Sequence, residues 1–495
     1  MTRPAPAPAS SQLLRAQLTH PVIDADGHVL EVQPVFEQWF FEFARELGGR
    51  EAASELARRD GLLYEQRVQG RWESLSPEQR WRQGVNRPPF WSLPANTRDR
   101  ATGYLPRLMY ERLEEFGIDF VMLFPSRALP MVSIPEAELR QLAIRALNVY
   151  HSRLYDEFKH RMRPVAVIPA HTPEEAIAEL EFVATELGVK SVLINGIVHR
   201  PLETGGTRLD TLGLDSEYDY EPLWRKLVEH RVSPSFHSSG QGWGSRRSPT
   251  SYVHNHIGSF GASAEAICRS LFLDGVTKRH PELCFALLEG GVGYACNLYA
   301  DLVSHWKKRN GDAIQSLDPA LIDISEMRHY FEQYGNEPMR DAMEPIADWL
   351  AQGEKRPEQL DEFEAVGAKT VDELRDLFVG HFYFGCEADD PMVAWAFNDK
   401  LNPAGAQLRP MFSSDMGHWD VPYMDAVLTE AFALVTDGHL DLEQFRTFTF
   451  ENAVRFYACL DPGFFDGTAV EAEAAAVLAD TPTQQRHTQT AAERV

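Results

Sequence analysis

The chain has 495 residues, 44% of them apolar, and a formal net charge of −25 from 73 acidic against 48 basic side chains. That acidity argues against nucleic acid or an anionic membrane surface as partner, since both need a basic patch, and leaves a small molecule as the expected ligand. Five scattered cysteines without CxxC spacing fit a reducing compartment and buried small apolar roles, not a disulfide scaffold.

The N-terminus, MTRPAPAPASSQ, has no apolar signal core, and no stretch is long enough to span a bilayer, so a cytoplasmic location is expected. Residues 1–18 are expected to be flexible. VIDADGHVLE, from Val22 to Glu31, reads as an apolar strand ending in polar groups, and strand alternation puts Asp24, Asp26 and His28 on one face. From Gln33 to about Met109 the chain is polar and aromatic, with Trp39, Trp72, Trp81 and Trp91. It is too long for a barrel loop and is read as an inserted helical cover over about 33–109.

A regular rhythm follows. FVMLFP, from Phe120 to Pro125, is a continuous apolar run of the kind that forms a strand buried on both faces of a parallel sheet. PVAVIP, from Pro164 to Pro169, and SVLIN, from Ser191 to Asn195, repeat it. Between those two lies a helix with defined ends: Thr172 as cap, Pro173 first, Glu175 completing a capping box and Gly188 just past the last turn. Then come a helix around Tyr220 to His230, a strand Val232 to His237, a helix from about Ser259 to Lys278, a strand Cys284 to Glu289 and a helix Val292 to Lys308. A charged, helical second insertion is expected over about 310–380. Strands Phe382 to Cys386 and Met411 to Asp415 and a closing helix from near Pro422 complete the pattern, and an Ala-rich, then Thr/Gln-rich stretch over 467–495 is expected to be a flexible tail. Eight strands in βα rhythm predict an α/β fold, a (β/α)8 TIM barrel with right-handed crossovers, occupying 19–466 with its two insertions.

In such a barrel the active site lies at the C-terminal ends of the strands. Asp26 and His28 end the first strand, His237 the fifth, Glu289 the sixth and Asp415 the eighth. Carboxylates and imidazoles converging there make a site for one divalent metal without cysteine. Zinc is the default; manganese or iron gains as carboxylates accumulate. Asp24 is read as a structural acid bonded to backbone. Arg127, ending the second strand, is either a clamp for a carboxylate or phenolate or a salt-bridge partner. His171 lines the pocket or helps to cap the next helix. His254 and His256, after the fifth strand, and His418, after the eighth, are further substrate-side candidates, and Trp91 could wall an aromatic pocket or be core.

The segments VIDADGHVLE, ATGYLPRLMYERLEEFGIDFVMLFPS, RPVAVIPAHTPEEAIAEL, PSFHSSG, LLEGGVGY and FSSDMGHWD, in this order, resemble the amidohydrolase superfamily. The resemblance is to amidohydrolase-related family 2, the branch that includes aminocarboxymuconate-semialdehyde decarboxylase and the resorcylate-type decarboxylases. It implies that Asp26-Gly27-His28 stands for a first-strand His-x-His, that His237 is the fifth-strand ligand, and that Asp415 is both ligand and proton shuttle. Glu289 stands where many members carry a histidine, either ligating the metal or orienting a histidine or water. Asn195 stands where a bridging lysine would be needed for two metals, so one ion is expected. A homodimer or higher oligomer and a small cyclic or aromatic substrate are further implications.

Three carboxylates against a divalent ion leave the site net negative. That favours a neutral amide, ester or lactone attacked by metal-activated water, with Asp415, Glu289 and His237 in the catalytic set. Decarboxylation or C–C cleavage of an aromatic or muconate-like acid is the alternative reading, and a catalytically inactive barrel used for binding or assembly is a third.

Overall fold

A computed structural model describes residues 11–59, 62–63, 68–89, 96–237, 244–353, 355–418 and 421–480. Its parallel strands are β1 (Ile23–Val29), β2 (Phe120–Pro125), β3 (Met162–Pro164), β4 (Ala166–Ile168) and β5 (Ser191–Ile194), then β8 (Ser233–Phe236), β9 (Phe285–Leu287), β10 (Phe382–Cys386) and β11 (Arg409–Phe412). β6 (Val198–Pro201) and β7 (Thr207–Asp210) form a separate antiparallel hairpin.

β1, β2 and β3 pair in that order, and β4, β5, β8, β9, β10 and β11 form a second parallel run. Two seams close these runs into a ring. The third stave is split at Val165, whose N–H donates to the Leu123 carbonyl (2.9 Å) and so keeps β4 in line with β3. Past β11, Asp415 N–H donates to the Asp26 carbonyl and His28 N–H to the Met416 carbonyl, each at 3.0 Å. The fold is a (β/α)8 barrel of eight staves, the third made of two pieces.

The apolar runs become staves because both of their faces are covered. Alternate side chains fall into two clusters. Met122, Val165, Val167, Leu193, Ala286, Tyr383 and Met411 belong to one. Val121, Leu123, Ala166, Ile168, Val192, Ile194, Phe382 and Phe384 belong to the other, together with Leu180, Leu223, Leu227, Ile267 and Leu271 of the flanking helices. Pro106–Phe116 is the crossover helix before β2, and it stops at Gly117 (φ +73°), where a Cβ would lie 2.6 Å from Leu428 and 2.7 Å from the Ser11 carbonyl.

Several local expectations need correction. Thr172 Oγ1 does accept from Glu175 N–H, but the Glu175 carboxylate turns away from the cap to Arg140. The helix after β8 breaks into Ser259–Leu273 and Val276–Arg279 at Gly275 (φ +76°). The last stave ends at Phe412, so Asp415 lies beyond it. Within the segment expected to be flexible at the start, Ser11–Arg15 is a helix with Ser11 buried and Arg15 paired to Asp119. In the expected tail, Glu471–Asp480 is a helix that buries Ala474 and Val477. Cys284 and Cys459 form a disulfide, with Cα atoms 6.5 Å apart, while Cys268, Cys296 and Cys386 are free and buried as expected. No helix among the described residues is long and apolar enough to cross a membrane.

Candidate metal and active site

The C-terminal ends of the staves and the residues just beyond them bring Asp26, His28, His237, Glu289 and Asp415 together. Asp26 and His28, on β1, are 1% and 0% exposed. The β1–β2 register slips between Asp24 and Gly27, a bulge that locally re-aims the strand. Asp24 serves the seam: its carboxylate accepts from Ser414 N–H (2.8 Å), from the Ser414 hydroxyl and from Asp26 N–H (3.2 Å). Burial raises its pKa to about 6 against those hydrogen bonds.

His28 Nε2 is the hub. It stands 2.9 Å from Asp415 Oδ1, 3.2 Å from His237 Nε2 and 3.6 Å from Asp26 Oδ1. His237 Nε2 in turn lies 3.0 Å from Glu289 Oε2 and 3.6 Å from Asp26 Oδ2. Strict alternation after Leu287 and Leu288, which fall in different clusters, would turn residue 289 away from the interior. Glu289 instead adopts φ +56°, and Asp415 adopts φ +53°. A left-handed conformation at a non-glycine residue costs about 1–3 kcal/mol and persists where the surroundings impose it.

Burial drives the electrostatics. It pushes Asp26 up to about 8, with the Glu289 and Asp24 charges adding and His237 opposing. His28 is held well below its ordinary value by burial and by the His418 and His237 charges. His237 goes the other way, to about 9, because Asp26 and Glu289 outweigh its burial. Glu289 falls to about 2, burial being overcome by hydrogen bonds from His237 and His256.

The donors could hold an ion. Asp26, His28 and His237 form one group, and His28, Glu289, Asp415 and His418 an overlapping one, with candidate atoms in each group within 4.8 Å of one another. Asp26 Oδ1 is buried with no hydrogen-bond partner among the described residues. Two imidazole nitrogens 3.2 Å apart need a proton or a cation between them; two nitrogens on a tetrahedral zinc would be about 3.3 Å apart, given bonds of about 2.0–2.1 Å. The residues present therefore fit a divalent ion.

The remaining candidates divide. His418 joins the cluster, with Nδ1 2.7 Å from Asp415 Oδ1 and its ring stacked on His28 at 3.8 Å. His256 stands at the edge, its Nε2 3.8 Å from Glu289 Oε1. His254 is exposed on the short helix Tyr252–His256. Arg127 is engaged with Glu31, its guanidinium donating to the Glu31 carbonyl (2.8 Å) and its N–H to the Glu31 carboxylate (2.9 Å). His171 sits by Arg140 and Arg200, lowered to about 4 by burial and then by those two charges. Trp91 lies outside the described residues. Sequence reasoning missed Ser126, whose hydroxyl lies between His28 and His418; its place at the end of the second strand was the available signal. Phe124 and Phe260 flank His237, with ring centroids at 5.9 and 5.7 Å.

A family model described as amidohydrolase matches residues 23–339. Among solved structures, an amidohydrolase from Mycobacterium avium subsp. paratuberculosis K-10 is similar at 16% identity and TM-score 0.49, over 89% of this chain and 100% of that one. A 5-carboxyvanillate decarboxylase from Sphingomonas paucimobilis is similar at 15% identity and TM-score 0.47, over 89% and 99%. A dihydroxybenzoic acid decarboxylase from Polaromonas sp. JS666, with bound manganese and the inhibitor 2-nitroresorcinol, is similar at 16% identity and TM-score 0.46, over 89% and 97%. No curated protein matches the chain. The matched family segment stops short of β10, so Asp415 and His418 are tied to it by the geometry above.

Proposed function

We propose, since this chain belongs to the amidohydrolase family, that it is a metal-dependent hydrolase acting on a small neutral cyclic or aromatic amide, ester or lactone. Asp26, His28, His237 and Asp415 would hold one divalent ion, with Glu289 on or beside it. Zinc suits this mixed set, and manganese or iron suits its carboxylate content. When bound, such an ion supplies Lewis acidity toward a carbonyl oxygen and toward water.

The carrying observation is the charge of the cluster. Among the described residues, the ion pairs of Asp26 and Glu289 run only to histidines, and Asp415 pairs with His28 and His418. Ligands of a bound divalent ion are deprotonated, which leaves Asp26 ionised despite the burial that raises it and His237 neutral. Three carboxylates against that cation leave a net negative site, which repels an anionic substrate and admits a neutral one. Phe124 and Phe260 supply apolar wall beside His237. Asp415 takes the proton of the attacking water and returns it to the leaving group, a general-base and general-acid role worth about 10²–10⁴ in rate. His237, on the other side of His28, helps to anchor the ion.

A second reading has its own observation. His256 and His418 are only partly buried and stand beside Glu289 and Asp415. With both imidazoles protonated the site becomes net positive and admits an aromatic or muconate-like acid, the substrate of a non-oxidative decarboxylase.

Metal content decides the first point. Protein purified without added metal should carry about one ion per subunit, and His237→Ala should lose it. The loaded enzyme is then offered lactones, esters and amides beside hydroxybenzoates. Release of acid from the neutral set supports hydrolysis; carbon dioxide from the hydroxybenzoates moves the assignment to decarboxylation. No ion in wild-type protein, even after reconstitution, removes the catalytic reading.

A further inference from the structure

Ser126 Oγ stands 3.1 Å from His28 Nδ1 and 2.9 Å from His418 Nε2. The two imidazoles are nearly parallel, with planes at 22° and centroids 3.8 Å apart, so one hydroxyl at their shared edge reaches both. On the other side, His418 Nδ1 lies 2.7 Å from Asp415 Oδ1, and the same oxygen lies 2.9 Å from His28 Nε2. Four side chains, from β1, the end of β2 and the segment after β11, thus close a ring.

Proton counting orients that ring. A hydroxyl donates one proton, and a neutral imidazole donates at one nitrogen and accepts at the other. For His28 Nε2 to offer its lone pair to a cation, the ring proton must sit on Nδ1, where Ser126 Oγ can accept it; the ring is also hydrogen-bonded to the Phe124 backbone. The hydroxyl proton is left for His418 Nε2, which accepts it. His418 therefore carries its proton on Nδ1 and donates to Asp415 Oδ1. The hydroxyl oxygen could accept from both rings, but a His418 protonated on Nε2 alone would set its Nδ1 lone pair against Asp415 Oδ1, and a His28 protonated on Nε2 would withhold its lone pair from the ion.

We propose that Ser126 is a positioning residue whose single hydroxyl, working with the Phe124 backbone at His28 and with Asp415 at His418, holds both rings in one tautomer and orientation. It commits His28 Nε2 to the ion and His418 Nδ1–H to Asp415, and so holds in one orientation the carboxylate that would move the proton. The inference rests on the metal-dependent reading above. Outer hydrogen bonds of this kind set ligand orientation, and their loss costs about 10–100-fold in metal affinity.

The test compares wild type, Ser126→Ala and Ser126→Thr, each titrated with Zn(II) against a competing chelator, with nitrogen-15 shifts of the His28 and His418 rings in the zinc-loaded proteins. Wild type should show His418 protonated on Nδ1 and accepting at Nε2. Ser126→Ala should show a shifted His418 Nε2 resonance, its hydroxyl donor gone, and zinc binding about 10–100-fold weaker, and Ser126→Thr, which keeps the hydroxyl, should restore both. His418 protonated on Nε2 in zinc-loaded wild type overturns the inference whether or not the alanine variant folds. So does an alanine variant with the wild-type His418 Nε2 resonance and wild-type zinc affinity. Wild-type protein that binds no zinc removes the metal-dependent reading itself, and this inference with it.

Discussion

Two groups of buried acids in this barrel are answered in opposite ways. Glu175 and Glu179, on the helix Pro173–Thr185, are 3% and 1% exposed, as deeply buried as Asp26 and Asp415 at 1% each. Glu175 meets Arg140 in a bidentate fork, Nε to Oε1 at 2.6 Å and Nη2 to Oε2 at 2.7 Å. Glu179 takes Arg145 Nε at 3.0 Å and Asn148 Nδ2 at 2.9 Å, and Asn148 also bonds both backbone groups of Val167. These contacts lock the helices Ala137–Leu154 and Pro173–Thr185 onto β4. Around His28, by contrast, the acids face imidazoles that face one another, Asp26 Oδ1 is left without a hydrogen bond among the described residues, and two acids hold positive φ. Burial alone does not mark a site. Guanidinium and amide partners complete a carboxylate's bonding; facing imidazoles leave a place for a cation.

The comparison breaks most sharply at Asp415. Asp415→Asn should lower kcat by about 10²–10⁴, since the proton acceptor is gone, while the melting temperature stays level or rises. Asparagine tolerates the left-handed backbone, and one charge leaves a crowded negative cluster. A variant that stays active but melts early would place Asp415 with the scaffold acids.

Glu175→Ala should do the reverse. It leaves the Arg140 guanidinium, 3% exposed, buried without its carboxylate, and breaking such a pair costs about 3–5 kcal/mol. Urea unfolding should show that loss while metal content per subunit remains that of wild type. If the ion is lost as well, the two groups of acids are one coupled unit.

How much of this could be read from the chain depends on range. FVMLFP, SVLIN and the segment around Phe382 announce buried staves because continuous apolar residues need cover on both faces, and the barrel register that follows brings Asp26, His28, His237 and Asp415 to one end. What escaped depends on backbone detail or on partners distant in sequence. The split at Val165 and the slip between Asp24 and Gly27 leave the apolar pattern unchanged. The β6–β7 hairpin carried a signal in Gly205-Gly206, both at positive φ, that the βα rhythm overrode. The inward turn of Glu289 depends on a single dihedral. The pairing of Glu175 with Arg140 rather than with its own cap, and of Cys284 with Cys459, is settled only when distant helices dock.

The smallest effect sharpens the scaffold side of the comparison through pH. Burial raises Glu179 to about 7 from an ordinary 4.5, despite Arg145 and Asn148, which pull it down. A group whose folded pKa lies above its unfolded value binds more protons when folded, so its contribution is fully present below about 4.5 and is lost as pH rises toward 7. The shift corresponds to at most on the order of 3 kcal/mol, at 1.36 kcal/mol per unit. Glu179→Gln keeps the side-chain length without the titration. Unfolding free energies measured from pH 4.5 to 7.5 should therefore fall more steeply for wild type than for the variant, with the difference concentrated in that window. Parallel curves would mean that Arg145 and Asn148 hold the carboxylate ionised throughout, and that Glu179 is answered as fully as Glu175.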